Sequence, residues 1–327
     1  MAKVLITTIP FGDKDHLPLN LLENAGIEYL INPFNKKITE DQLAEIITDF
    51  DVIIAGTESI TEKVMNSAFN LKLISRVGIG LDSVDLLAAQ IRGIKVSYTP
   101  DAPSLAVAEL TLGFMLNLLR SVHVSNSQMH QGQWHRFFGK RLEEVTVGII
   151  GAGRIGTGVL IRLKGFGTSK ILVNDIMPNR ELDCEFKLKW TSKEKLYKEA
   201  DIISLHLPLT HLTKNLIRKE HLLIMKPDAL LINTSRGGII NEVDLYEVMQ
   251  SGHLSGVAID VFEKEPYDGP LKEIEQCLLT AHMGSMSVDC RSRMEIESTE
   301  EAIRFLTGKA LESEVPQDEY DLQKLGL

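Results

Sequence analysis

Short apolar runs alternate along the chain with longer amphipathic stretches. Val4–Thr7, Val52–Ala55, Leu73–Val77 and Lys95–Tyr98 have the length and composition of strands. Helical periodicity falls between them at Leu17–Ala25, Thr39–Thr48 and Val84–Arg92. A second series is clearer: Val145–Ile150, Ile171–Asn174, Ile202–His206, Leu230–Thr234, Gly256–Asp260 and Cys277–Ala281, separated by helical patterns such as Ile155–Phe166 and Glu242–Ser251. Strands that alternate with helices predict right-handed βαβ units and parallel sheets. Two such series predict an α/β protein with two doubly wound parallel-sheet domains.

The turn-rich segment Tyr98-Thr-Pro-Asp-Ala-Pro-Ser104 leads into an apolar helix from about Leu105 and marks the first boundary. No comparable linker precedes the long helical pattern Val288–Leu306, which suits a return to the first domain. The expected organisation is therefore a discontinuous domain of residues 1–100 and 298–327 around an inserted domain of 101–297. The acidic tail from Glu312 onward reads as frayed.

Composition narrows the class. The length of 327 residues suits two domains at roughly 150 each. Hydrophobic residues are 44% and charged residues 24%, ordinary for a globular chain. The net charge of −10 gives no reason to expect nucleic acid as the main partner. Cys184, Cys277 and Cys290 are far apart and form no CxxC pair, so a cytoplasmic, reducing setting is expected. The start, Met-Ala-Lys-Val-Leu-Ile, reads as a first strand and not as a signal peptide. The apolar stretch Leu105–Leu119 contains Glu109, Thr111 and Asn117; it reads as too short and polar for a membrane span, and as a buried helix. His123, His130 and His135 flank no acidic cluster, and no metal site is expected.

The chemistry begins at Gly151-Ala-Gly153-Arg154-Ile155-Gly156, after one strand and at the head of a helix. Such glycines permit a tight turn, close approach of a pyrophosphate and close helix–sheet packing, and the helix start supplies N–H groups and a positive dipole end. A packing role alone is the plainer alternative. Asp175 ends the next strand near the ~20-residue offset of an acid that binds ribose hydroxyls. A carboxylate there repels a 2′-phosphate and favours NAD over NADP, although Arg180 is close in sequence. Thr234 and His206 also end strands; His206 suits either contact with the cofactor or simple packing.

Ligands of open parallel sheets sit at the carboxyl ends of the strands. Arg236 stands there beside Gly237 and Gly238, where its fork suits a carboxylate or sheet-edge carbonyls. Glu265 lies in a Glu-Lys-Glu run that equally suits a solvated loop, and His282 follows the last strand. Together they form a candidate carboxylate clamp, acid partner and proton carrier. A neighbouring carboxylate favours the charged imidazole.

These residues resemble the D-isomer-specific 2-hydroxyacid dehydrogenase family, most of all its phosphoglycerate-dehydrogenase-like members. The likeness rests on Arg76-Val-Gly-Ile-Gly80-Leu-Asp-Ser-Val-Asp85, Ala108-Glu109-Leu-Thr111, the Gly151–Gly156 turn, Asn233-Thr-Ser-Arg236-Gly-Gly, Asp260-Val-Phe-Glu-Lys-Glu265-Pro266 and Ala281-His282. It implies a Rossmann NAD-binding domain inserted into a flavodoxin-like substrate domain, an active site between them, and a homodimer formed through a region that includes Ser125–Lys140. It puts the catalytic set on Arg236, Glu265 and His282. It gives the backbone clamp for the substrate carboxylate to Val77, Gly78 and Gly80, a substrate contact to Arg76, and a position facing the nicotinamide to Asp260.

The implied reaction is hydride transfer between NAD and a small D-2-hydroxy or 2-oxo acid, with Arg76 tilting the choice toward a phosphorylated or otherwise anionic one. Ala281 replaces the usual Pro, and Met283 and Met286 also depart from the pattern, which bears on substrate identity. An end near residue 327 leaves no room for the regulatory domain of longer phosphoglycerate dehydrogenases. A dinucleotide-sensing corepressor-type protein and a phosphite-type dehydrogenase are the rival readings.

Overall fold

The computed structural model describes residues 2–186 and 188–326, with no side-chain account of Cys184. The chain separates into two compact units, Met1–Pro103 with Met286–Leu327, and Ser104–Ser285. The second break falls ahead of a continuous helix that starts at Val288, whereas the change of domain was expected at 298, inside that helix. A helix is held by its own backbone ladder along its whole length, so a boundary within it is unfavourable.

The first unit alternates β1 (Lys3–Ile6), α1 (Leu17–Asn24), β2 (Glu28–Ile31), α2 (Glu40–Ile46), β3 (Val52–Ala55), α3 (Glu62–Ser67), β4 (Leu73–Arg76), α4 (Leu86–Ile91) and β5 (Lys95–Ser97). Its sheet is parallel in the order β2-β1-β3-β4-β5, the flavodoxin-like arrangement. β3 and β4 are buried along their whole length, as strands covered on both faces are. β2 escaped the sequence reading because it is the edge strand: its residues alternate between exposed and half-buried and make no apolar run.

The second unit begins with α5 (Ala102–Arg120) and α6 (Val122–His130). It continues through β6 (Thr146–Ile150), α7 (Arg154–Gly165), β7 (Lys170–Asn174), α8 (Glu181–Phe186), β8 (Lys189–Trp190), α9 (Lys193–Glu199), β9 (Ile202–Leu205), α10 (Lys219–Ile224), β10 (Leu230–Asn233), α11 (Glu242–Gln250), β11 (Gly256–Ile259) and β12 (Cys277–Leu279). The seven strands are parallel in the order β12-β11-β10-β9-β6-β7-β8, the Rossmann order with one strand added. Successive strand residues feed two separate cores: Leu231 and Ile203 go to one, Leu230 and Ile202 to the other. That division is the period-two geometry of a strand covered on both faces.

α5 is longer than its apolar run. Its 19 residues are long and apolar enough to cross a membrane by length and composition, contrary to the expectation from sequence. Thr111 returns its hydroxyl to the Val107 carbonyl at 2.8 Å, which hides one of the polar interruptions. Ala108, Leu112, Met115, Leu118 and Leu119 pack in the same core as Val147 of β6, as a buried helix does.

The first unit is completed by α12 (Val288–Leu306) and α13 (Gln317–Lys324). The acidic tail is not frayed. Val315 and Tyr320 are buried in the core, and the Val315 amide donates to Val96 at 2.8 Å. The Gln323 side chain accepts from the Leu86 amide (2.7 Å) and donates to the Val84 carbonyl (2.9 Å), capping α4. Charge alone suggested fraying; two apolar anchors and one glutamine outweigh it.

Candidate functional site

In the second unit, β6 runs straight into Gly151 and the start of α7. Gly151 has φ +95°, and a Cβ there would lie 2.2 Å from the His206 carbonyl oxygen. A Cβ on Gly156 would lie 2.0 Å from the Gly151 carbonyl oxygen. Both positions therefore require glycine for the turn itself. Gly153 differs: it is the first flanking residue of α7, no side chain caps the helix, and a Cβ there would meet open space. That open, uncapped helix start has the N–H groups and the space that an anion such as a pyrophosphate requires, and a side chain at Gly153 would fill the space.

Arg154 and Ile155 form the first helical positions. Asp175 accepts from the Ala152 amide (2.7 Å) and the Met177 amide (2.8 Å), so its carboxylate is fixed beside the glycine turn. Arg180 pairs with Asp183 and lies over the Trp190 ring, 5.7 Å from its centroid. His206 shares a hydrogen bond with Ser204 (2.9 Å), while its Nδ1 is buried without a partner. Burial pushes its pKa down to about 3, so the imidazole is neutral.

β10, β11 and β12 are neighbours, and their carboxyl ends bring Arg236, Glu265 and His282 to one edge of the sheet. Asn233 braces the first loop by donating to the Arg236 carbonyl (2.8 Å) and accepting from the Ser235 amide (3.1 Å) and hydroxyl (2.8 Å). Arg236 is half-buried and donates to the Ser235 carbonyl at 2.8 Å. A Cβ on Gly237 would lie 2.0 Å from the Phe262 carbonyl, so glycine lets this loop run against the one that carries Glu265. Thr234 is buried and shares a 2.8 Å hydrogen bond with Thr111.

Glu265 is no solvated loop residue. Its oxygens lie 3.0 and 3.2 Å from His282 Nδ1, and one accepts from the Phe262 amide at 3.1 Å. His282 has φ +52°, an unfavourable backbone conformation for a residue with a Cβ. Asp260, fully buried, holds that turn from both sides. It accepts from Thr280 Oγ1 (2.5 Å) and the amides of Met283 (2.7 Å) and Gly284 (2.8 Å), and its carbonyl accepts from the His282 amide (2.9 Å). Expected among the cofactor contacts, Asp260 directs its carboxylate to the histidine turn.

Sequence reasoning missed Glu242, which accepts from the Glu263 amide at 2.7 Å and steadies the same loop. Burial raises its pKa, and the negative charges of Glu263 and Glu265 add to the effect. In the sequence it reads as an ordinary first-turn acid after the Asn241 cap. Among the described residues, no group of three or more His, Cys, Asp or Glu side chains is placed to hold a metal.

In the first unit, Arg76 lies at the carboxyl end of β4 and is 4% exposed. Its guanidinium donates to the Gly80 carbonyl (3.0 and 2.8 Å) and the Ala55 carbonyl (3.1 Å). The Val77 amide donates to Ala55 (2.9 Å) and the Gly78 amide to Thr99 Oγ1 (2.8 Å). Two of the three amides expected to hold the substrate carboxylate are therefore engaged within the chain. Sheet pairing extended one residue past β4 takes the first, and the threonine on the neighbouring strand end takes the second.

An open glycine-lined helix start, an acid fixed beside it and an acid-paired histidine at the same sheet's edge are the kinds of group that dinucleotide-dependent oxidoreduction requires. Residues 112–284, just over half of the chain, match the family model described as D-isomer specific 2-hydroxyacid dehydrogenase, NAD binding domain. The chain belongs to this family of NAD-dependent oxidoreductases. It is 35% identical to D-3-phosphoglycerate dehydrogenase of Methanocaldococcus jannaschii, over 100% of this chain and 62% of that protein, so it spans about three-fifths of that relative's length. It is 35% identical to hydroxypyruvate reductase of Thermotoga maritima, over 87% of this chain and 96% of that one. The crystal structure of TT0316 protein from Thermus thermophilus superposes with a TM-score of 0.86 at 32% identity, covering 96% of this chain and 100% of that one.

Proposed function

We propose that this protein interconverts a small D-2-hydroxy acid and its 2-oxo acid by NAD-dependent hydride transfer. The observation that carries the reading is the contact of His282 Nδ1 with Glu265, in a turn held by Asp260, one loop from Arg236. When bound, NAD accepts or supplies the hydride; Gly151–Gly156 and Asp175 would hold it.

The side chains supply the rest. Glu265 accepts a hydrogen bond from the Nδ1–H of His282, which leaves Nε2 as the edge that exchanges a proton with the substrate oxygen. In reduction the charged imidazole gives that proton as the carbonyl gains electron density; in oxidation the neutral ring takes it back. The Glu265 carboxylate stabilises the charged ring during each cycle. The Arg236 fork holds the substrate carboxylate and fixes the face presented to the hydride.

The test is NADH absorbance with a panel of 2-oxo acids, comparing wild type with His282→Ala. Turnover by wild type that the variant loses supports the reading. Turnover no better than the variant's with every acid overturns it. Tighter binding of NADP than NAD would sink the role given to Asp175.

A homodimer through a region that includes Ser125–Lys140 belongs to the same proposal. Trp134, Phe138, Val122 and Met129 are exposed there, and the segment after α6 has no regular structure until Leu142. Sedimentation of wild type against Phe138→Asp tests it, with dissociation expected. A reducing cytoplasm suits Cys277 and Cys290, both free and buried.

A further inference from the structure

We propose, resting on the reading above, that Glu242 is a positioning residue for the proton transfer: through the Glu263 amide it holds the loop that keeps the Glu265 carboxylate against His282 Nδ1. Consecutive amides of this loop go to two acids. The Phe262 amide donates to Glu265 (3.1 Å), and the Glu263 amide donates to Glu242 at the head of α11 (2.7 Å). The first bond closes a turn within the loop. The second fastens that turn to a helix.

The two ends of the loop are held differently. At its base Phe262 is buried, stacks on the Tyr267 ring at 4.1 Å and lies with its carbonyl against Gly237. At its tip Glu263, Lys264 and Pro266 are exposed, and Glu265 is half-buried. A cavity of about 10 Å³ lies beneath, with Asn233, Gly237, Glu242, Leu245 and Val261 among its walls, roughly the room of a single water. Packing therefore leaves play on this side, and a directed hydrogen bond is what sets the position of the tip.

Glu242 is not spent on its own helix, because Asn241 caps α11 by accepting from the Asp244 amide (3.0 Å). Nor is it neutralised. Lys219 of α10 goes to Glu247 (2.7 Å), Lys272 of the turn at 270–273 goes to Asp268, and among the described residues no lysine or arginine is ion-paired with Glu242. Burial raises its pKa, the Glu263 amide draws it back, and the charges of Glu263 and Glu265 raise it again. The positive end of α11 offsets part of this cost. A charged group at this spot disfavours the fold, so its use lies in the bond it makes to the loop.

The experiment compares wild type, Glu242→Gln and Glu242→Met in three measurements: turnover of NADH with glyoxylate or hydroxypyruvate, thermal unfolding, and proton–nitrogen NMR spectra of the histidine side chains. Gln keeps an acceptor oxygen at the same reach without the charge, and Met keeps the stem without the acceptor. Expected for Glu242→Gln is a kcat within about threefold of wild type and a melting temperature no lower at neutral pH, since the raised pKa means that the lost charge opposed folding. Expected for Glu242→Met is a kcat about 10–100-fold lower, with KM for NADH within about twofold. In the same variant the Nδ1–H resonance of His282, identified by its loss in His282→Ala, should weaken or vanish. A Met variant that keeps both kcat and the resonance overturns the inference, and so does a Gln variant that loses as much as Met. Should Glu242→Met not fold, Glu242→Ala is read against the same expectations. If no acid turns over in any variant, the dehydrogenase reading falls, and the resonance decides the inference by itself.

Discussion

The two units carry the same architecture, a parallel sheet with its polar residues at the strand carboxyl ends, and use those ends in opposite ways. In the first unit the charged groups are consumed. Arg76 and Arg291 bind backbone carbonyls, and Glu58 and Glu295 take backbone amides. In the second unit the buried carboxylate of Asp260 is occupied likewise, but its effect is to hold His282 so that one edge of the ring is tied to Glu265 and the other remains for chemistry. A saturated rim gives shape and a few amides; a rim with one group held in reserve gives a proton carrier. Placement at a strand end therefore marks a candidate, and the satisfaction of its donors and acceptors decides its role.

The largest test of this contrast is His282→Ala. We expect kcat to fall roughly 10²–10⁴-fold, with stability within about 0.5 kcal/mol of wild type. Loss of stability as large as the loss of rate would make this rim structural like the other. Next is Arg76→Ala, which strips three donors from the buried Ala55 carbonyl and the half-buried Gly80 carbonyl. Stability should fall by about 2–3 kcal/mol in urea unfolding, with kcat/KM for small acids within severalfold of wild type. A selective loss of substrate affinity at unchanged stability would erase the distinction.

Asp260→Asn sharpens the comparison from the other side. The amide cannot accept from the Thr280 hydroxyl and both amides as the carboxylate does, so kcat should drop about 10–100-fold while fluorescence titration gives an unchanged NADH affinity. A parallel loss of NADH binding would return Asp260 to the cofactor.

The smallest effect concerns pH. His206 has a pKa lowered to about 3 by burial, whereas in the unfolded chain it titrates near 6.5. Between these values the unfolded chain binds the extra proton, so stability is complete above about 6.5 and is lost as pH falls toward 3. The expected contribution is on the order of 1–2 kcal/mol between pH 7.5 and 5, seen as a shallower acid slope of Tm in His206→Gln. Identical slopes would show that the ring is hydrated in the native state.

Much of this was legible in the chain itself. Buried parallel strands are continuous apolar runs because both faces are covered, so β3, β4, β6, β9 and β10 announced themselves, as did the glycine turn. The edge strand β2 did not, because exposure dilutes its pattern. The docked tail did not, because two buried residues in an acidic segment leave no period to read. Glu265 and His282 stood out by position, but their contact needed the strand order β10, β11 and β12.

The sequence by itself determined the elements, the dinucleotide turn and the residue types able to do the chemistry, since these follow from local periodicity and from spacing within single loops. Only the tertiary structure decided which charges are engaged. Arg76 and Arg236 look alike in sequence, each beside glycines at a strand end. One is buried and stapled to the Ala55 and Gly80 carbonyls by the chain folding over it; the other is half-buried, donates to the Ser235 carbonyl and sits one loop from an acid-paired histidine. Hydrogen-bond satisfaction depends on residues far apart in sequence, and no local pattern records it.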